Sequence, residues 1–247
     1  MQMQPRLWFM LACSVLLVTA CTAVGERGKT AVSEGGTQVT GREGPARFLA
    51  LGDSYTIGES VASDQRWPVQ LVKALRAEGI EIRPPRIIAK TGWTTDELAD
   101  AVQAAEFEHR FDFVSLMIGV NNQYRGRGVD NYHEELDQLI ERAIQLAGGS
   151  SGRVIVISIP DWGVTPYARK DERSASRIAE EIDAFNDVTR ELAKRHGTRY
   201  VNVTDISREL ADDILLVAND GLHPSPQQYR QWTKRILPVA REILGHD

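Results

Sequence analysis

The chain has 247 residues, 42% of them hydrophobic and 26% charged, with 20 Gly, 10 Pro, two Cys and a formal net charge of −5. That length suits one α/β domain of the larger kind or two small ones, and the composition excludes disorder and fibrous structure. A negative balance with no long basic run argues against nucleic acid as a partner, and two cysteines cannot make a disulfide framework.

Residues 1–20 differ from everything after them. Arg6 is their only charge, and Leu7–Val18 is almost unbroken in its apolar character. The run is short for a membrane span, which needs about 20 residues, and it suits the core of a signal peptide. It ends in Leu17-Val18-Thr19-Ala20-Cys21, which resembles the lipobox of bacterial lipoproteins. The resemblance implies cleavage before Cys21, a diacylglyceryl group on its thiol, and stable anchoring by the acyl chains. Thr22, standing where an Asp would retain the protein at the inner membrane, points to the outer membrane by analogy with enteric sorting. Cys13 falls in the removed segment, so Cys21 is the mature chain's one thiol, and acylation accounts for an unpaired Cys in an exported protein. A buried N-terminal helix with an incidental Cys is the bland alternative. Residues 21–45 are rich in Gly and Thr and lack aromatics. They read as a tether spanning roughly 25–30 Å.

Residues 46–247 read as one domain. Expected strands are Arg47–Leu51, Arg86–Ala89, Phe111–Ile118, Arg153–Ile159 and Thr198–Val203, several too continuously apolar for a sheet with one wet face. Such strands belong to a parallel sheet covered on both sides. Between them lie amphipathic stretches at Pro68–Glu78, Thr95–Glu106, Asn131–Ala147, Asp171–His196 and Pro226–Leu244. Thr94 and Thr95 precede Asp96-Glu97, Ser225 precedes Pro226, and His196 precedes Gly197, which are helix start and stop signals. Alternating strands and helices with no internal repeat imply a single doubly wound α/β domain. Ligands in such folds bind at the carboxyl ends of the strands.

Those strand ends carry a consistent set of residues. The first strand runs into Gly52-Asp53-Ser54-Tyr55, placing a serine hydroxyl where the crevice should open. Asp220-Gly221-Leu222-His223-Pro224 puts an Asp and a His three residues apart ahead of a helix, able to supply a base and the acid that orients it. The second strand leads into Lys90-Thr91-Gly92-Trp93-Thr94, and the third into Ile118-Gly119-Val120-Asn121-Asn122. The amides of Ser54 and Gly92 and the side chain of Asn121 are available donors for an oxyanion. Each block alone is also an ordinary loop. His109, His133, His196 and His246 have no neighbours at metal-ligand spacing, so no metal site is expected.

Together, Gly52-Asp53-Ser54, Gly92, Gly119-x-Asn121 and Asp220-x-x-His223 resemble the four blocks of the SGNH hydrolases, the GDSL esterase/lipase family. They occur in the family's order over about Arg47 to Leu244. The resemblance implies Ser54 as nucleophile, His223 as base and Asp220 as its orienter. It implies an oxyanion hole from Ser54, Gly92 and Asn121, and a three-layer α/β/α fold with a flavodoxin-like sheet in the order 2-1-3-4-5. Neither metal nor organic cofactor is implied. Tyr55 stands where the name-giving Leu sits, and Asn122 replaces an Asp that often follows the third-block Asn.

Trp93, Asn122 and Trp162 are the candidate pocket residues. Trp93 and Trp162, with Tyr167, either wall an acyl pocket, stack on a sugar ring, or pack over the sheet edge. Arg125 and Arg127 either meet a phosphate or uronate or remain solvated loop charges. No long apolar lid is visible, which favours short acyl groups. The expected protein is therefore an envelope-anchored serine esterase for short-acyl, O-acetyl-type esters of small molecules or glycans. A lipase or lysophospholipase of the same family is one alternative, and a non-catalytic binding lipoprotein on this fold is the other. Nothing in the sequence sets the oligomeric state.

Overall fold

Five parallel strands form the sheet: β1 (Phe48–Gly52), β2 (Arg86–Ala89), β3 (Phe113–Met117), β4 (Val154–Ile157) and β5 (Arg199–Val201), in the order β2-β1-β3-β4-β5. This is the expected 2-1-3-4-5 topology. The computed structural model describes residues 44–209 and 213–245. The expected signal peptide over residues 1–20, Cys21, all but the end of the tether and His246 lie outside the described residues. The described residues belong to one compact unit, Val39–Asp247.

Ala50 of β1 pairs with Ile87 on one side and Ser115 on the other, so β1 sits second in the sheet. Every residue of β1, β3 and β4 is buried. Their sequences, FLALG, FVSLM and VIVI, have no alternation because both faces are covered. The covering helices are α2 (Trp67–Ala77), α3 (Thr95–Ala104), α5 (Val129–Leu146), α6 (Ala175–His196) and α8 (Pro226–Gly245). Short helices α1 (Ser54–Ile57), α4 (Val120–Tyr124) and α7 (Thr204–Glu209) fill connections. α2 packs on α8 while α5 packs on α6 and α3, giving a helical layer on each face of the sheet. Phe48 stacks on Phe113 with ring centroids 4.4 Å apart, and Trp67 closes over Phe48.

The helix signals operate as expected. The Glu97 carboxylate accepts from the Thr94 N–H at 2.9 Å, capping α3. Ser225 Oγ accepts from the Gln228 N–H at 3.3 Å, and Gly197 ends α6 with φ +67°. α6 starts four residues later than expected, because Asp171 accepts from the Arg173 N–H and Ser174 takes the cap. β3 stops before Ile118, whose carbonyl accepts from the Tyr132 hydroxyl at 3.0 Å. α1, α4 and α7 span only four to six residues, too few for a helical period to show in the sequence.

Candidate active site

The carboxyl ends of the strands bring the sequence blocks together. β1 leads directly into Asp53 and Ser54, and Gly52 makes the approach possible. A Cβ there would stand 2.3 Å from Thr56 Oγ1 and 2.4 Å from the Met117 carbonyl oxygen. Asp53 caps α1 by accepting from the Tyr55 N–H at 3.0 Å. Ser54 is thus the first residue of a helix, where its own N–H has no intrahelical acceptor. The Asp53 carboxyl is buried beneath it, and burial pushes it up to about 7 despite hydrogen bonds from backbone N–H groups.

Asp220 and His223 meet as the spacing predicts. His223 Nδ1 lies 2.6 Å from Asp220 Oδ2, while Asp220 Oδ1 accepts from the N–H groups of Leu222 and His223. Ser60 Oγ donates to Oδ2 at 2.7 Å. Partial burial works to raise the Asp220 carboxyl, but the hydrogen bonds from Ser60, His223 and the two backbone groups outweigh it and hold the group at about 2. An ionised carboxylate only accepts, so Nδ1 carries the proton and neutral His223 keeps Nε2 as its acceptor. Gly221 turns the loop at φ +74°. The Tyr167 N–H holds it by donating to the Gly221 carbonyl at 2.9 Å. Tyr55 packs its ring 5.5 Å from the imidazole.

Gly92 lies at φ +90° in a turn closed by the Trp93 N–H on the Lys90 carbonyl. Arg125 Nη2 grips the Gly92 carbonyl at 2.7 Å, and Asn121 Nδ2 donates to the Trp93 carbonyl at 2.8 Å. One Asn121 N–H therefore orients the amide and the other is left for a ligand. Gly119, at φ +123°, precedes α4 and turns Asn121 toward the β2 loop.

Ser54, Gly92, Asn121 and His223 line one cavity of about 120 Å³. Its remaining walls are Tyr55, Thr91, Val120, Tyr124, Trp162, Tyr167 and Leu222. Trp162 is therefore at the pocket, tied through its Nε1–H to Gln123 Oε1 at 2.8 Å. The loop that carries it is pinned by buried Asp161, which pairs with Arg208 at 2.8 Å.

Two expected pocket residues lie elsewhere. Trp93 packs against the core and reaches the site only through its carbonyl. Asn122 is fully buried, accepting from the Thr95 N–H at 3.1 Å and donating to the Thr95 hydroxyl at 2.6 Å. It joins the β3 loop to the start of α3, its amide taken up by the Thr95 N–H and hydroxyl and so turned away from the cavity. Arg125 and Arg127 pair with Glu97 and Asp96 and brace the same junction. No motif marks Tyr124, although its position three residues after Asn121 on a helix puts it on the same face. Ser60 carried no sequence signal.

A larger groove of about 450 Å³ holds Arg127, Arg173, Arg177, Glu180 and Glu181, whose charges pair with each other and with Asp96 and Asp171. It contains none of the four residues above. Asp137, Glu141 and His196 bring ligand-type atoms within 4.8 Å of one another across α5 and α6. Sequence spacing hid this group, but Asp137 is already engaged, paired with Arg195 at 2.6 Å and hydrogen-bonded with His196 Nε2 at 2.5 Å.

The model of the GDSL-like lipase/acylhydrolase family matches residues 50–231. An arylesterase from Vibrio mimicus is 24% identical over 203 residues, covering 81% of this chain and 89% of its own. The crystal structure of a lipase/acylhydrolase from Enterococcus faecalis superposes with a TM-score of 0.61 at 25% identity, covering 81% of this chain and 96% of that one. An acetyl xylan esterase from Geobacillus stearothermophilus gives 0.61 at 18% identity, covering 80% and 95%.

Proposed function

The chain belongs to the GDSL-like lipase/acylhydrolase family and is a carboxylic ester hydrolase, and from that premise we propose that it cleaves short-acyl, O-acetyl-type esters through an acyl-enzyme on Ser54. The observation that carries the reading is the cavity. About 120 Å³ is well below the roughly 300–1,000 Å³ of sites that engulf drug-sized ligands, and it suits a two- to four-carbon acyl group.

In this reading His223 Nε2 takes the Ser54 proton as Oγ attacks the ester carbonyl. The carbonyl oxygen becomes an oxyanion held by the N–H groups of Ser54 and Gly92 and by Asn121 Nδ2. His223 returns the proton to the leaving alcohol as the C–O bond breaks, leaving acyl-Ser54. Water, deprotonated by the same nitrogen, then releases the acid and restores the serine. Asp220, held ionised by its four hydrogen bonds, keeps Nδ1 protonated and stabilises the imidazolium in both halves.

The test is p-nitrophenyl ester hydrolysis from acetate to decanoate. Maximal kcat/KM at acetate to butyrate supports the reading. A maximum at octanoate or longer replaces it with a lipase. The proposal places the enzyme at the cell envelope through acylation of Cys21, on the strength of Leu17-Val18-Thr19-Ala20-Cys21 and the Gly-rich residues after it. Labelled fatty acid should enter the wild type and not Cys21→Ala. Equal labelling of both refutes the anchor.

A further inference from the structure

The segment that follows the serine helix touches both of the other active-site loops. Gly58 ends α1 at φ +72°, and Glu59 and Ser60 then point in different directions. The Glu59 carboxylate accepts from the hydroxyl of Thr91, the residue beside Gly92. The Ser60 hydroxyl donates to Asp220 Oδ2, the oxygen that also receives the His223 Nδ1 proton. Ser60 is the one non-glycine residue with positive φ among the described residues, at +63°. Left-handed backbone is costly for a serine and persists where the surroundings fix it.

Resting on the reading of Asp220 and His223 as the acid and base, we propose that Ser60 is a positioning residue. It fixes Asp220 Oδ2 on His223 Nδ1 and locks the serine segment to the Asp-His loop, while Glu59 secures the same segment to the oxyanion loop. Asp220 sits at the rim, its side chain 29% exposed, and both backbone N–H bonds fall on Oδ1, so the tilt of the carboxylate about Oδ1 is set by what holds Oδ2. The Ser60 hydroxyl holds Oδ2. The imidazole then meets a carboxylate whose rotation is already set, which matters as the ring turns cationic and the bond to it strengthens.

Ser60→Ala and Ser60→Gly separate the hydroxyl from the backbone. Both lose the donor, but only glycine escapes the cost of φ +63°. On full-length protein, kcat for p-nitrophenyl acetate should fall about tenfold in both variants, in proportion to one lost charge-assisted hydrogen bond, with KM within about twofold. Melting temperature should be higher for Ser60→Gly than for Ser60→Ala. Wild-type kcat in Ser60→Gly overturns the proposal, whatever Ser60→Ala does, because the backbone alone would then be at issue. So does a loss confined to KM. Ser54→Ala, measured alongside, tests the hydrolase reading itself. Its inactivity beside an unimpaired Ser60→Gly would dismiss Ser60 and leave the serine mechanism standing.

Discussion

Gly119 and the ring of Tyr132 leave no room for a side chain between them. A Cβ on Gly119 would stand 2.5 Å from Tyr132 Cε2 and 2.8 Å from the hydroxyl oxygen. The same hydroxyl bonds the Ile118 carbonyl and lies 2.8 Å from Thr189 Oγ1, so the ring cannot retreat without breaking buried hydrogen bonds. Gly119→Ala combines this clash with a φ of +123°. It should destabilise the fold by roughly 3 kcal/mol or more in urea titration, with an unchanged m-value. A loss under 1 kcal/mol would mean that the α5 register yields.

Asp53 should make stability fall with rising pH. The unfolded chain releases this proton near the ordinary value of 3.8, whereas the buried carboxyl in the folded chain keeps it up to about 7. Between those values the folded state binds more protons, so its advantage is lost as pH rises through the window and is level above it. Asp53→Asn preserves an oxygen to cap Tyr55 and removes the titration. The variant should be more stable than wild type at pH 8 by at least about 1 kcal/mol, with the difference vanishing near pH 4. Parallel stability curves for the two proteins would contradict the buried-carboxyl account.

Asn121→Ala removes one of the three proposed oxyanion donors and the bond to the Trp93 carbonyl. The expected loss in kcat is on the order of 10²–10³ with little change in KM, since the donor acts on charge that exists only in the transition state. A pure KM effect in steady-state kinetics would place Asn121 on the bound ground state instead.

Tyr124 is 42% exposed, lines the cavity and approaches the Tyr167 hydroxyl at 3.1 Å. Its truncation should open the small pocket without disturbing the core. In Tyr124→Ala, the ratio of kcat/KM for octanoate over acetate should rise on the order of tenfold. An unchanged ratio would mean that the acyl group lies against another wall.

The sheet was legible because its central strands are unbroken apolar runs, a pattern that only a doubly covered parallel sheet requires. The contact of Asp220 with His223, and the cavity that His223 shares with Ser54, were legible because strand-end position and close spacing survive as local sequence. The pocket was less so. Trp93 and Asn122 sit beside Gly92 and Asn121 in the chain, but Trp93 packs on the core and Asn122 bonds Thr95, tertiary partners that chain adjacency does not reveal. Ser60 reaches Asp220 across 160 positions, and Asp137 reaches His196 across 59, distances at which no motif spacing operates.

The account stands or falls on Ser54 as the nucleophile. Treating the protein with a fluorophosphonate and mapping the adduct by peptide mass spectrometry tests this most directly. One phosphonyl group per chain on Ser54 is predicted, with ester hydrolysis lost in step with labelling. Ser54→Ala should carry no adduct and have kcat lowered by on the order of 10⁴ or more. An adduct on another residue, or wild-type turnover by Ser54→Ala, would contradict it.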